Sequence, residues 1–123
     1  MATSVNIDGG LTRDPEFKYT EAGHPMWRGT IVSSDVEYIP EDRREGISKT
    51  YVSCIAFGAA AEMFAELNLT KGCEVVATGI LRQYELEGAD GKKERKTQVL
   101  VRTMHVTRRP AVAAATHDLP PGW

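Results

Sequence analysis

The chain is short of the features that mark secreted, membrane-spanning and metal-dependent proteins. Its two cysteines, Cys54 and Cys73, are too few for a disulfide framework, so reduced thiols in a cytosolic protein are the default reading. The longest unbroken apolar run, Ala111–Ala115, falls far below the roughly 20 residues that a membrane-crossing helix needs. No basic segment followed by an apolar stretch opens the chain at Met1–Asn6, so no signal peptide is expected. The histidines, His24, His105 and His117, are scattered and stand at no metal-ligand spacing from either cysteine. There is no Gly-x-x-x-x-Gly-Lys-(Ser/Thr) phosphate loop, and Gly9-Gly10 runs into a loop rather than a helix, which removes the dinucleotide fingerprint. Asp14 with Glu16, and Glu85 with Glu87, come nearest to a catalytic carboxylate pair, but neighbouring exposed acids are ordinarily plain surface. No enzymatic activity, metal or cofactor is expected.

What is present is the ordinary mix of a soluble domain. The 123 residues are 41% apolar and 26% charged, which suits one folded domain and argues against wholesale disorder. The net charge of −2 is unevenly spread. Arg82–Arg109 holds eight basic residues against four acidic ones, a net +4 that leaves −6 on the remainder. Such a split is a weak electrostatic footprint of the kind nucleic acid selects, and it is equally the mark of a solvated basic hairpin.

The pattern along the chain is mostly that of strands. Val5–Leu11 alternates and is expected to bend at Gly9-Gly10. Pro15 interrupts it, and Phe17–Thr20 alternates again. Met26–Glu37, rich in β-branched and aromatic residues, reads as a long strand, followed by a charged loop at Pro40–Gly46. Ile47–Phe57 places Val52, Cys54 and Ala56 on one face and Lys49, Tyr51, Ser53, Ile55 and Phe57 on the other. The first set suits the filling of a narrow barrel; the second carries two aromatics and a lysine, unusual for a face turned to water. Ala59–Leu69 switches to helical period. Glu74–Glu87 returns to strand, with Val75, Ala77, Gly79 and Leu81 opposite a face ending in Arg82, Tyr84 and Leu86. Gly88–Gly91 is a hairpin turn and Lys96–Val106 the last strand. Trp27 is expected in the core or against another subunit. An all-β chain with one α-helix between its third and fourth strands is the order of an OB-fold, a five-stranded Greek-key barrel. The expected division is an OB-fold domain over residues 1–108 and a short flexible tail over 109–123.

Four segments carry a more specific signal. Gly10–Tyr19 reads Gly-Leu-Thr-Arg-Asp-Pro-Glu-Phe-Lys-Tyr. Tyr51–Gly58 ends in Phe-Gly; Ala61-Glu62 is followed by Lys71-Gly72; Thr78–Arg82 reads Thr-Gly-Ile-Leu-Arg. In this order and spacing, over roughly residues 5–107, they resemble the bacterial and phage single-stranded DNA-binding proteins. The resemblance implies an OB-fold protomer, assembled as a homotetramer, that coats single-stranded DNA in replication, recombination or repair without catalysis. It places Tyr51 where the family has a stacking tryptophan, Phe57 on a stacking phenylalanine, and Arg82 and Tyr84 on the strand that tracks the backbone. Leu86 stands where another family tryptophan is frequent. A third family tryptophan has no clean counterpart, Tyr38 being one residue out of register and Trp27 too early. The family's acidic tail with its apolar end is replaced by Asp118 and Leu119–Trp123, so recruitment of replication and repair partners is not carried over.

The expected DNA-binding set is Tyr51, Phe57, Arg82, Tyr84, Lys49, Arg13, Lys18, Lys92, Lys93 and Arg95, with no catalytic and no metal-binding residue. Asp14 is expected to be structural. Rings offer the π-face every base shares, and cations offer phosphate neutralisation with counterion release. The expected partners are single-stranded DNA and further copies of the chain, not a membrane. The expected compartment is the cytoplasm of a bacterium, or of the host of a phage. An OB-fold adaptor of the replication-restart or helicase-loading kind, acting mainly through protein contacts, is the alternative.

Overall fold

The computed structural model describes residues 1–39 and 44–110 and, of these, the side chains of all but 36–39 and 44–47. In chain order the elements are β1 (Thr3–Leu11), β2 (Glu16–Tyr19), β3 (Pro25–Ile39), β4 (Arg44–Phe57), α1 (Gly58–Glu66), β5 (Glu74–Glu87) and β6 (Lys93–Arg108). The strands form one sheet in the order β1-β5-β6-β4-β3-β2. Gly10 and Leu11 of β1 also pair with Val32 and Ile31 of β3. That extra pairing returns the sheet upon itself, so β1, β5, β6, β4 and β3 make a ring of five strands, with β2 added outside β3. This is the OB-fold expected from the sequence.

The closing corner explains the glycines of β1. Strand β1 pairs with β5 from Thr3↔Leu81 to Gly10↔Glu74 and reaches β3 only at its end. A Cβ at Gly9 would lie 2.2 Å from the Val32 carbonyl oxygen, so only a residue without one lets β3 come this close. Gly79 plays the same part opposite the Leu100 carbonyl, again at 2.2 Å, beside an irregularity in the β5–β6 register.

Several boundaries differ from those read in the sequence. The helix lies between the fourth and fifth strands, because the short Glu16–Tyr19 segment is a strand paired to β3 from Glu16↔Arg28 to Tyr19↔Pro25. Strands β3 and β4 pair from Met26↔Phe57 to Ile39↔Arg44, which takes Arg44–Gly46 out of the expected charged loop. Pro40–Arg43 lies outside the described residues, as does the expected tail from residue 111 onward. Helix α1 stops at Glu66 rather than Leu69 because Asn68 turns to φ 52. The N–H groups of Leu67 and Asn68 then close on the carbonyls of Phe64 and Ala65. Arg109 caps this end from across the molecule, donating to the Leu67 and Asn68 carbonyls at 2.7 and 3.3 Å.

The core is filled from the inward parity of each strand. Ile7 and Leu11, Trp27 and Ile31, Cys54 and Ala56, Val75 and Ala77, and Val99 and Val101 are all buried, with Ala61 and Phe64 sealing one end from α1. Trp27, as expected, is core: it is 1% exposed and meets the Phe64 ring edge-on at 5.6 Å.

Candidate nucleic-acid interface

The strand alternation that fills the core turns the opposite set outward on the β3–β4 side of the sheet. Register brings Lys49 opposite Ser34, Tyr51 opposite Val32, Ser53 opposite Thr30, Ile55 opposite Arg28 and Phe57 opposite Met26. Lys18 of β2 lies opposite Met26, so Lys18, Met26 and Phe57 form one row across three strands. Tyr51 is 64% exposed and Phe57 41%. Ile55 is the exception on this face: it is buried, flanked in register by Arg28 on β3 and Leu100 on β6.

The face continues onto the β5–β6 hairpin. Arg82 lies opposite Gln98 and Tyr84 opposite Lys96. Arg82 donates to the Gln98 side-chain oxygen at 3.2 Å, and Tyr84 is 39% exposed. Strands β4 and β6 run parallel and pair only through Cys54↔Val99 and Ile55↔Leu100. One residue before that contact they part, leaving a cavity of about 230 Å³. Its walls include Arg13 and Asp14 from the β1–β2 connection, Arg28 and Thr30 from β3, Ser53 from β4, and Tyr84 and Gln98 from the hairpin. In OB-folds this face, between the first connection and the last hairpin, is where oligonucleotides lie.

The residues expected from the sequence are thus partly gathered. Tyr51, Phe57, Lys49 and Lys18 share the sheet face, and Arg82 and Tyr84 extend it. Arg13 reaches its edge at the cavity. Asp14 is structural: its Oδ1 accepts the Lys71 N–H at 2.8 Å, tying the β1–β2 connection to the turn after α1. Lys93 and Arg95 stand opposite Glu87 and Glu85, at positions that alternate to the side away from Tyr84; Arg95 and Glu85 are 3.8 Å apart. Lys92 lies in the hairpin turn, where its N–H donates to Asp90. Lys96, across from Tyr84, joins Arg82 as a hairpin cation on the face, although it is also 3.0 Å from Glu94.

Sequence reasoning missed Arg28, Thr30 and Gln98. Arg28 was legible, because it directly follows the buried Trp27 and so must point outward. Gln98 gave no signal. It sits just before the apolar run Val99–Val101 and is the one buried polar side chain among the described residues.

The model of the single-strand binding protein family matches residues 2–107. The chain belongs to this family. Its members include the single-stranded DNA-binding protein of Mycobacterium leprae, 34% identical over 115 residues that cover 90% of this chain and 66% of that protein. The Deinococcus radiodurans protein is 35% identical over 102 residues, 80% of this chain and 34% of its own length. This family member therefore spans about two thirds of the mycobacterial relative and about a third of the deinococcal one. Among solved structures, a deletion mutant of the Thermus aquaticus single-stranded DNA-binding protein superposes with a TM-score of 0.73 at 26% identity, covering 85% of this chain and 50% of that one. The Plasmodium falciparum protein, solved in complex with single-stranded DNA, superposes with a TM-score of 0.80 at 10% identity, covering 88% and 97%. At that identity the second likeness speaks for the shared fold alone.

Proposed function

We propose that this chain binds single-stranded DNA largely without regard to sequence, as a homotetramer, and protects exposed strands during replication, recombination or repair. It acts as a binding protein and catalyses nothing. The observation that carries this reading is the open row of rings, Tyr51, Phe57 and Tyr84, on one face with Arg82, Lys49 and Lys18. Each base stacked on a ring contributes about 1–3 kcal/mol whatever its identity, and the cations neutralise the connecting phosphates. A duplex keeps its bases stacked on one another and offers these rings no π-face, so the surface selects unpaired strands.

The test is binding of a fluorescent oligothymidine across a range of salt concentrations, with a hairpin duplex of equal length as competitor. The expected result is tight binding whose logarithm falls linearly with the logarithm of salt, with the duplex competing poorly. Absence of binding at low salt overturns the reading in favour of the protein-binding adaptor.

A further inference from the structure

Gln98 is the one buried polar side chain among the described residues, and strand binding as set out above gives it no task. Its backbone is held from both sides. Gln98 pairs with Arg82 across the β5–β6 ladder, and the next residue, Val99, pairs with Cys54 of β4. Its side-chain oxygen accepts a hydrogen bond from the Arg82 guanidinium at 3.2 Å. A guanidinium only donates, so the oxygen is the end of the amide that faces it. The bond thus joins a buried group on a fixed backbone to an exposed arginine with a long, flexible stem. The flexible partner is the one that takes up the direction the buried one sets.

The partner is also unusual in carrying no charge. Arg28, Arg95, Lys96 and Arg108 stand 3.0–3.8 Å from the carboxylates of Glu16, Glu85, Glu94 and Glu74. A phosphate approaching any of these cations must displace a carboxylate or meet a charge already partly neutralised. Gln98 orients Arg82 and leaves its charge whole. Tyr84 lies two residues further along β5, so its ring shares the face on which the guanidinium is held.

We propose that Gln98 is a positioning residue for single-strand binding: it fixes the Arg82 guanidinium on the face of Tyr84 without neutralising it, so that Arg82 meets a phosphate as an oriented cation of undiminished charge. The proposal rests on the single-strand-binding reading above and specifies how one of its cations is made ready. An arginine ordered before the strand arrives loses less side-chain freedom on binding than a free one. The neutrality of the amide is the essential part. A glutamate at this position would hold the guanidinium equally well and cancel its charge.

The experiment measures oligothymidine affinity at pH 8 over a series of salt concentrations. The proteins are the wild type, Arg82→Met, Gln98→Glu, Gln98→Met and the double variant Arg82→Met, Gln98→Met. Gln98→Glu is expected to bind more weakly, with a log–log salt slope shallower by about 0.7 for each chain the strand engages, the change that losing one phosphate contact gives. Arg82→Met shows the same change of slope. Gln98→Met keeps the wild-type slope, binds about three- to tenfold more weakly, and adds no further loss in the Arg82→Met background. A Gln98 that served the fold alone would weaken binding equally in both backgrounds and leave every slope unchanged, and that result overturns the proposal. So does a wild-type slope in Gln98→Glu, which decides alone if Gln98→Met does not fold. If the wild type binds no oligothymidine at low salt, it is the single-strand-binding reading that fails.

Discussion

At the scale of single residues, the same types of side chain are sorted by which way the strand turns them. Tyr51 and Phe57 lie on the exposed side of β4, and Cys54, between them in sequence, faces the core. The double variant Tyr51→Ala, Phe57→Ala is expected to lose about 2–6 kcal/mol of oligothymidine affinity if each ring stacks one base. Because both rings are exposed, its unfolding midpoint should stay close to that of the wild type, which denaturation monitored by circular dichroism will check. Cys54 makes the opposite case. Burial disfavours its thiolate and pushes the thiol from 9.0 up to about 12. The native protein should therefore leave Cys54 unmodified by a thiol-specific reagent at pH 8, and it should react once denaturant exposes it. The sign of the stability effect follows. Between about 9 and 12 the folded chain holds a proton that the unfolded chain has lost, so the contribution of this group, full below 9, declines as pH rises through that window.

At the scale of elements, the close approach of strands is the constraint with the largest expected penalty. Gly79→Ala puts a methyl against the Leu100 carbonyl and should cost about 1–3 kcal/mol, read as a lower denaturant midpoint with an unchanged slope. The elements themselves were well marked in the sequence where one face is buried. Strand β5 has the bounds its alternation gives, Glu74–Glu87, because Val75, Ala77, Gly79 and Leu81 repeat with the period of two that a strand buried on one face requires. The short β2 was visible as alternation in Phe17–Thr20 but not as a sheet member, because all four of its residues are exposed and none is held by the core, although it pairs with β3 across the adjacent turn. The site followed the same rule. Tyr51, Phe57, Arg82 and Tyr84 were found by parity. The separation of Arg95 from Tyr84 depends on the hairpin register, and the burial of Gln98 depends on where two parallel strands part. Neither is encoded in any local pattern.

At the scale of the whole molecule, a single chain offers only a short path of rings and cations. The proposed tetramer lengthens it, and sedimentation with and without oligothymidine tests both together: one complex of four chains with a fixed number of strands is expected, and a monomer at all concentrations would remove the assembly. The end of the helix is tied by Arg109 to the chain just after β6, and the β1–β2 connection is tied to Lys71 by Asp14 at the rim of the cavity, so the frame around the binding face is held by side-chain contacts as well as by the strand ladders. The parallel meeting of β4 and β6 has the reverse character. It spans only Cys54↔Val99 and Ile55↔Leu100. Had those strands zipped together for two or three residues more, the wall would have been sturdier and the opening where Gln98 waits would not exist. Selection for rigidity alone would close that mouth without touching Tyr51 or Phe57, so a variant with a longer ladder there should resist denaturant better and still hold single strands on those two rings.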